Sequence, residues 1–250
     1  MVNQNEVAIN IPNTWDQIIS IGRLLYDKGL IVGGEGNISL RLPDGNLLVT
    51  PSRICKGRLT VKDSVMLDPM GGQISGDREP SSELLLHLHI YRQRDDVQAI
   101  VHAHPPMATG FAAAGESLSD PILAEMYANF RRVPVTPYAN PGSLELAEAI
   151  APFLEDHDAL LLRNHGVITF GPDLESAYLR MELVEHFARI SLVTRTLGRQ
   201  SPIPGKYLLL LEEDWRKHRH DPLPTVPKRR SARSLLQELF EELVNRYIKK

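Results

Sequence analysis

Two histidines separated by one residue stand at the end of a predicted strand, and they are the first sign of chemistry in the sequence. Residues 97–102 are rich in β-branched side chains, and this predicted buried strand gives way to prolines after His102-Ala103-His104. Side chains at positions i and i+2 leave a strand on the same face, so the two imidazoles should project together. Paired imidazoles of this kind are typical ligands of a zinc ion.

Two further residues complete a candidate ligand set. His165 lies in the sequence Asn164-His165-Gly166 between two predicted strands, where glycine lets the backbone turn sharply. Glu83 lies in the predicted first turn of a helix, where the helix dipole favours a carboxylate. Each of these residues alone has an ordinary structural interpretation, but the four together predict a metal site with zinc as the expected ion.

Other histidines compete for the same role. His87 follows Glu83 by four residues and so shares its helix face. His87 and His89 could supply ligands or orient them, although packing in the core or on the surface is the simpler interpretation. The remaining histidines are interpreted as structural or surface residues: His157, His186, His218 and His220.

Small hydroxyl residues and glycines near Glu83 indicate an anion site. Gly36-Asn37 follows a glycine-rich turn, Thr50-Pro51-Ser52 ends a predicted strand, and Ser81-Ser82 begins a helix. Helix N-termini bind phosphate through backbone N–H groups and the helix dipole. Ser81 alone is better explained as an ordinary helix cap. Its position two residues before Glu83 nevertheless suggests that phosphate and metal share one pocket.

The bulk composition excludes several classes of protein. The chain has 250 residues, 42% hydrophobic and 24% charged, which is ordinary for a soluble globular protein. A net charge of −3 gives no electrostatic reason to expect nucleic acid or an anionic membrane as a partner. No apolar run approaches the ~20 residues that span a bilayer. Cys55 is the single cysteine, so no intrachain disulfide can form, and a cytoplasmic location is expected.

The elements that must position these residues alternate between helices and strands. Neither a GxGxxG nor a Walker loop is present, so a nucleotide-binding sheet is not indicated. The order of elements predicts an α/β sandwich, with a mostly antiparallel sheet and helices on its faces. The predicted strands are residues 38–42, 47–50, 64–67, 97–102, 133–135, 159–162 and 167–170; the predicted helices start at Thr14 with a capping box, at Pro80, at Pro105, at Ser143 and at Asp173.

The C-terminal part of the chain differs from the rest. Prolines in residues 198–206 and 218–230 predict linkers, and Ser231 can cap a final helix with one apolar face. That face must be buried on the same subunit or on a neighbour. The basic run Lys228-Arg229-Arg230 is interpreted as a solvated surface. We therefore expect a main domain in residues 1–200 and a proline-containing linker with a helical extension in residues 201–250.

Six segments together resemble the class II aldolase/adducin family, typified by L-fuculose-1-phosphate aldolase and L-ribulose-5-phosphate 4-epimerase. The resemblance extends from about residue 14 to residue 197. It implies a three-layer α/β/α sandwich around a mainly antiparallel sheet, and a homotetramer with active sites between subunits. The matching segments are Gly36-Asn37-Ile38-Ser39, Thr50-Pro51-Ser52, Pro80-Ser81-Ser82-Glu83, His102-Ala103-His104-Pro105, Pro137-Tyr138-Ala139 and Asn164-His165-Gly166.

The resemblance also implies roles for the matching residues. His102, His104 and His165 would bind zinc, with Mn²⁺ or Co²⁺ as alternatives. Glu83 would be both metal ligand and acid/base, and glutamate rather than aspartate at this position favours an aldolase over an epimerase. Arg53 stands where the fuculose enzyme has glycine and could add a cation for a phosphate or a carboxylate. The residues implied to bind substrate phosphate are Gly36, Asn37, Ser52, Ser81 and Ser82.

A second proton donor is implied before the segment Arg131-Arg132-Val133-Pro134. Tyr127 is the counterpart of a tyrosine in the fuculose enzyme, but its spacing from the histidine pair requires gaps. Glu125 is the alternative, and the sequence does not choose between them.

The expected activity is cleavage of a ketose 1-phosphate, similar to L-fuculose 1-phosphate, into dihydroxyacetone phosphate and an aldehyde through a metal-stabilised enediolate. Epimerisation, decarboxylation of a keto-acid phosphate and dehydration are alternatives within the same family. A non-catalytic, adducin-like scaffold is a third hypothesis, but adducin heads lose the metal ligands that this sequence retains.

Overall fold

A seven-stranded antiparallel sheet forms the centre of residues 11–218, the part of the chain described by a computed structural model. The strand order is β4-β3-β2-β1-β5-β7-β6, so β5 lies between β1 and β7. The strands are β1 (Asn37–Arg41), β2 (Leu47–Val49), β3 (Val65–Leu67), β4 (Gln73–Ser75), β5 (Ala99–Ala103), β6 (Ala159–Leu162) and β7 (Gly166–Gly171).

Helices cover both faces of the sheet. None of those in residues 11–218 is long and apolar enough to cross a membrane. The helices are α1 (Ile11–Asp27), α2 (Leu84–Gln93), α3 (Pro106–Ala114), α4 (Ala124–Phe130), α5 (Leu144–Ile150), α6 (Leu174–Thr196) and α7 (Gly205–His218), and short 3-10 turns occupy Lys56–Arg58, Val61–Asp63 and Ala151–Phe153.

Alternation along the strands divides the core into two halves. On β5, Val101 packs with the half formed by α1, α3 and α6, which includes Met181. Ile100, the residue before Val101, points to the other face of the sheet and packs with Leu86 in the half of the core formed by α2 and α5. Because successive strand residues point to opposite faces, an apolar strand of this kind is buried on both sides. This confirms the predicted three-layer sandwich around an antiparallel sheet.

Two predicted elements are wrong in detail. The first helix begins at Ile11 and not at a cap on Thr14. Pro12 is tolerated there because the first helical turn leaves its N–H groups unbonded in any case. Residues 133–135 form only isolated bridges, from Val133 to Leu118 and from Val135 to Leu161. Pro134 between them has no N–H to donate, which prevents a continuous ladder.

Strand β4 and helices α4 and α7 were not predicted. Helix α7 lies in the segment expected to be a linker and extension, and it packs on α4. Trp215 is buried there, with the Arg131 guanidinium 4.9 Å from its ring centroid and 3.1 Å from a Glu212 oxygen. Outside the described residues lie residues 1–10, His220, the basic run at 228–230 and the helix predicted after Ser231.

Candidate active site

Three histidines converge at one edge of the sheet. His102 lies on β5, His104 follows the end of that strand, and His165 lies in the turn between β6 and β7. Their ring centroids are 5.0, 4.7 and 5.1 Å apart, and one ligand nitrogen from each lies within 4.8 Å of the others. The Nε2 atoms of His102 and His104 are 3.1 Å apart. The structure therefore brings together the three histidines that the sequence singled out.

The pairing of β5 with β7 explains this convergence. Ala103 is opposite Val167, so the end of one strand meets the start of the other, directly after His165. A Cβ atom at Gly166 would lie 2.4 Å from Cδ2 of His104, so only glycine leaves room for this ring. Asn164 takes a left-handed conformation, with φ of 55°, which asparagine tolerates better than most residues.

Glu83 faces this cluster with both carboxylate oxygens. Oε2 is 3.1 Å from Nε2 of His102, and Oε1 is 3.1 Å from Nε2 of His165. The residue directly precedes α2 and does not lie in its first turn, as the sequence had suggested. Its side chain forms no capping bond with the helix, so the carboxylate is free to contact the histidines.

Neighbouring groups fix the orientation of the cluster. Nδ1 of His102 donates a 2.8 Å hydrogen bond to the carbonyl of Val167, because a carbonyl only accepts. Nε2 is then the nitrogen of His102 available to a metal, as in many metal sites. Glu35 Oε2 lies 3.4 Å from Nδ1 of His104 and orients the second ring. The sequence did not indicate Glu35, because its contact with His104 joins two segments that are distant in the sequence.

Charge inside the cluster is strongly coupled. Burial favours the neutral form of Glu83, but the charges and hydrogen bonds of His102 and His165 outweigh it and hold the pKa of Glu83 well below its ordinary value. Burial likewise opposes the charge on His102, yet Glu83 raises the pKa of His102. Burial and the two other histidines lower the pKa of His104 to about 4, so that ring is neutral at pH 7.

The residues present fit a divalent cation. Three imidazoles and a carboxylate are the donor set of many zinc sites. In tetrahedral geometry with bonds of about 2.0–2.1 Å, ligand atoms lie about 3.3 Å apart, close to the observed 3.1 Å separations. Within residues 11–218, Oε1 of Glu83 is buried, and its one polar neighbour is the His165 ring nitrogen at 3.1 Å, outside good hydrogen-bond geometry. Such an atom is costly, and a bound cation would offset that cost.

The three segments predicted to bind phosphate lie beside one another. Ser52 donates its backbone N–H to the Glu79 carbonyl at 3.0 Å, and Ser81 donates to the Thr50 carbonyl at 3.2 Å. The Thr50 hydroxyl in turn accepts a 3.0 Å hydrogen bond from the backbone of Ile38, next to Asn37. These bonds join the start of β1, the end of β2 and the start of α2 into one surface.

The residues of this surface differ in how readily each could contact a bound phosphate. Gly36 has φ of 69°, and a Cβ atom there would lie 2.7 Å from the His102 carbonyl oxygen. Oδ1 of Asn37 is buried without a hydrogen-bond partner in the described part of the chain. The Ser81 hydroxyl accepts from the Glu83 N–H at 3.3 Å, but α2 begins at Leu84 with Glu83 at the cap position, so the prediction of Ser81 as the helix cap is wrong. Ser82 is exposed. Arg53 is exposed and has φ of 59°, which explains why glycine suits this position.

The two candidates for a second proton donor do not join the cluster. Tyr127 is half-buried on α4 and lines a cavity of about 380 Å³ with Arg131, Arg132 and His157. His157 precedes β6, whereas His165 follows it, so the cavity and the histidine cluster lie toward opposite ends of that strand. Glu125 is exposed on the same helix.

The competing histidines also lie apart from the trio. His87 is buried, and its Nδ1 is 2.6 Å from the Ser39 hydroxyl. His89 is half-buried, with Nε2 2.9 Å from the side-chain nitrogen of Gln93. Neither belongs to the group of residues that could hold a metal ion in residues 11–218.

The fold and the site together define an α/β protein with a candidate metal-dependent active site at one sheet edge. The chain belongs to the class II aldolase family, since the family described as Class II Aldolase and Adducin N-terminal domain matches residues 16–192. This confirms the predicted family and identifies the chain as an enzyme of that family.

Individual relatives carry two different activities in their names. The L-fuculose phosphate aldolase of Methanococcus maripaludis is 37% identical over 182 residues, which cover 72% of this chain and 97% of the relative. The 3-oxo-tetronate 4-phosphate decarboxylase of Escherichia coli is 32% identical over 182 residues, which cover 71% and 85%. A solved structure of L-fuculose 1-phosphate aldolase superposes with a TM-score of 0.76 at 32% identity, covering 82% of this chain and 96% of that one.

Proposed function

We propose that this protein is a metal-dependent aldolase that cleaves a ketose 1-phosphate, similar to L-fuculose 1-phosphate, into dihydroxyacetone phosphate and an aldehyde. The observation that carries the proposal is Glu83, whose two oxygens lie 3.1 Å from His102 and His165 beside the predicted phosphate-binding surface. A carboxylate in that position would lie next to both a bound metal ion and the reacting carbons of a bound sugar phosphate. The fuculose phosphate aldolase relatives support the same substrate class.

His102, His104, His165 and Glu83 would hold the ion, with zinc favoured by the donor set and Mn²⁺ or Co²⁺ as alternatives. When bound, a divalent ion supplies positive charge that polarises the substrate carbonyl and stabilises the negative charge left by the breaking C–C bond. The residues described here must supply everything else: phosphate binding, orientation and proton transfer.

Glu83 is the proposed acid/base. In the cleavage direction, the hydroxyl that becomes the aldehyde oxygen gives its proton to Tyr127 or Glu125. The C–C bond electrons pass to the carbon next to the carbonyl. Glu83, which takes up a proton from solvent once the substrate displaces it from the histidines, delivers that proton to the carbon. Tyr127 or Glu125, deprotonated before the hydroxyl proton arrives, then releases that proton to solvent, so no net proton is gained or lost. In the condensation direction Glu83 removes the same proton. Asn37, 2.8 Å from Oε2, holds the carboxylate in place for both directions.

The phosphate would be bound by Gly36, Asn37, Ser52, Ser81 and Ser82, with Arg53 adding a cation at the edge. We further propose a homotetramer with active sites between subunits. The position of Tyr127 supports this arrangement: its cavity and the histidine cluster lie toward opposite ends of β6, so a neighbouring subunit is the natural source of the second proton donor.

A decarboxylase of a phosphorylated sugar acid is the second candidate. Within residues 11–218 the Arg53 guanidinium has no hydrogen bond or ion pair, and an exposed cation beside a phosphate surface suits a substrate carboxylate. The decarboxylase relatives point the same way. Epimerisation and dehydration would use the same residues, and a non-catalytic scaffold would have no use for the four converging ligands.

A substrate panel tests these proposals. Zinc-loaded protein would be incubated with L-fuculose 1-phosphate, other ketose 1-phosphates, L-ribulose 5-phosphate and 3-oxo-tetronate 4-phosphate. We expect dihydroxyacetone phosphate from a ketose 1-phosphate, detected with a coupled dehydrogenase. Carbon dioxide from the keto-acid phosphate alone would instead establish the decarboxylase. Absence of stoichiometric metal in carefully purified protein, together with no turnover, would support the scaffold.

A further inference from the structure

A buried lysine that the proposed mechanism does not use lies beneath the glycine-rich turn. Lys56 is 2% exposed, and its Nζ donates a 2.8 Å hydrogen bond to the carbonyl of Gly34. Lysine is seldom fully buried unless its charge has a partner. Such a residue therefore needs an explanation beyond packing.

The turn that Lys56 holds contacts three of the four candidate ligands. We call residues 33–37 the glycine loop. From this loop Glu35 faces His104, with 3.4 Å between oxygen and nitrogen, and Asn37 donates to Glu83 at 2.8 Å. Gly36 lies against the backbone of His102, with no room for a Cβ atom. A shift of the loop would consequently disturb both the candidate metal ligands and the predicted phosphate surface.

The backbone of Lys56 is itself fixed from the opposite side. A Cβ atom on Gly22 of α1 would lie 2.5 Å from the Lys56 carbonyl oxygen, and one on Gly57 would lie 2.5 Å from Cγ of Tyr26. The turn that carries Lys56 thus packs directly on α1. Its side chain connects that rigid contact to the glycine loop.

Lys56 also places a positive charge beside the glycine loop, whose Gly34 packs against the backbone of Arg53. Burial lowers the pKa of Lys56 to about 8, against the opposing influence of Cys55 and Glu83, so the side chain is mainly an ammonium at pH 7. An ammonium has three N–H donors. Gly34 is its one hydrogen-bond acceptor within the described part of the chain, so two donors are left for water or a bound anion.

We propose that Lys56 is a positioning residue that fixes the glycine loop and gives the adjacent anion pocket a buried positive charge, which favours phosphorylated over unphosphorylated substrates. The location of the pocket rests on the proposed function. The contacts of Lys56 with the loop do not, since they are present in the protein without substrate.

Three variants distinguish the effect of the Lys56 charge from the effect of its hydrogen bond to the glycine loop. Lys56→Met and Lys56→Gln each shorten the side chain by one atom and remove the charge. Methionine also removes the donors, whereas glutamine keeps an amide donor toward Gly34. Lys62→Met is the matched control, because Lys62 is exposed in the next 3-10 turn. Zinc-loaded proteins would be titrated with inorganic phosphate by calorimetry at pH 7, and their metal content and thermal unfolding would be recorded alongside.

We expect the affinity for phosphate to fall at least tenfold in both Lys56 variants and to stay within twofold of wild type in Lys62→Met. With an active substrate, Lys56→Gln should raise KM and retain more of kcat than Lys56→Met, because the loop keeps a donor. Should Lys56→Met fail to fold, Lys56→Gln decides the phosphate comparison.

Phosphate affinity within twofold of wild type in a folded Lys56 variant would overturn the proposal, as would a wild-type protein that does not bind phosphate at all. A protein that binds phosphate through Lys56 yet turns over no sugar phosphate would instead count against the proposed function alone.

Discussion

Asn37 donates a 2.8 Å hydrogen bond from Nδ2 to Oε2 of Glu83, and so joins the start of β1 to the residue before α2. One of these residues belongs to the predicted phosphate surface and the other is the proposed acid/base. The same amide has its oxygen buried without a hydrogen-bond partner in residues 11–218. An anion bound near Asn37 would therefore change the position or the pKa of Glu83, the carboxylate that is proposed to transfer the proton.

Replacement of Asn37 by alanine should lower activity by impairing Glu83. A hydrogen bond to a charged group contributes about 1.5–3 kcal/mol, which corresponds to a loss of roughly 10- to 160-fold in kcat/KM if the bond acts in the transition state. Steady-state kinetics on the substrate found in the panel would measure it. Asn46→Ala is the control, because in the described part of the chain the Asn46 side chain bonds only to Asp44 of the same hairpin turn. Equal kinetics in the two variants would contradict this role for Asn37.

Replacement of Glu83 by glutamine should separate metal binding from turnover. Glutamine keeps the size of the side chain and one carbonyl oxygen, so the three histidines should retain much of the metal. It cannot exchange a proton, so kcat should fall by about 100-fold or more. Elemental analysis and kcat would be measured on one preparation, with Glu79→Gln, on an exposed side chain, as the control. Full activity of the Glu83→Gln variant would show that Glu83 is not the acid/base.

Replacement of His102 by alanine should abolish metal binding. His102 is fully buried, and its Nδ1 is bonded to Val167, so Nε2 is the nitrogen that a metal would use. Within residues 11–218, the group that could hold a metal contains no fourth histidine to replace it. We expect near-zero metal after gel filtration and no activity, a state that chelator treatment of the wild type should reproduce. His89→Ala should keep its metal, because His89 bonds to Gln93 outside the cluster. Full metal content in His102→Ala would show that the ion is bound elsewhere.

The sequence correctly predicted those parts of the site that depend on residues close together in the chain. His102 and His104 were predicted to face one way because they end a strand two residues apart. The role of Glu35 at His104 and that of Lys56 at Gly34 depend on contacts between segments that are distant in sequence. Those contacts exist only once the strands are ordered in the sheet, so no spacing rule predicts them.

The missed elements have a similar explanation. Strand β4 has three residues, all exposed, and so lacks the alternation that marks a half-buried strand. Helix α7 follows Pro202 and Pro204, and these prolines led to the prediction of a linker there. The helix is stabilised by burial of Trp215 against α4, which lies some eighty residues earlier in the chain. In the proposed homotetramer, the choice between Tyr127 and Glu125 would depend on a neighbouring subunit, which the sequence of one chain does not position.

Replacement of Glu185 by alanine should destabilise the protein through α3. Its buried carboxylate accepts hydrogen bonds from the backbone N–H groups of Met107 and Ala108, at the start of the helix that follows His104. Loss of this acceptor leaves buried donors unpaired, at a cost of about 1–3 kcal/mol. Urea unfolding would measure the free energy of unfolding. Glu175→Ala, exposed on the same helix α6, should change it by less than about 0.5 kcal/mol. Equal stabilities would contradict the capping role.

Stability toward acid should depend on His87. Burial lowers the pKa of His87 from 6.5 to about 3 in the folded state. The charge of His102 lowers it further, and the charge of Glu83 opposes both effects. Below pH 6.5 the unfolded chain therefore takes up a proton that the folded chain does not, and the free energy of unfolding falls with pH until about pH 3. His87→Phe has no such proton to bind and leaves the bond between Ser39 and Tyr91 in place.

Between pH 6 and pH 4.5 the wild type should consequently lose about 2 kcal/mol more than His87→Phe in the free energy of unfolding. Urea unfolding of both proteins at pH 8, 6 and 4.5 measures the difference. The comparison at pH 8 isolates the packing effect of the phenylalanine, because His87 is neutral there in both states. The other histidines titrate in both proteins and cancel in the difference. Parallel pH dependences would show that His87 becomes protonated as readily in the folded state as in the unfolded one.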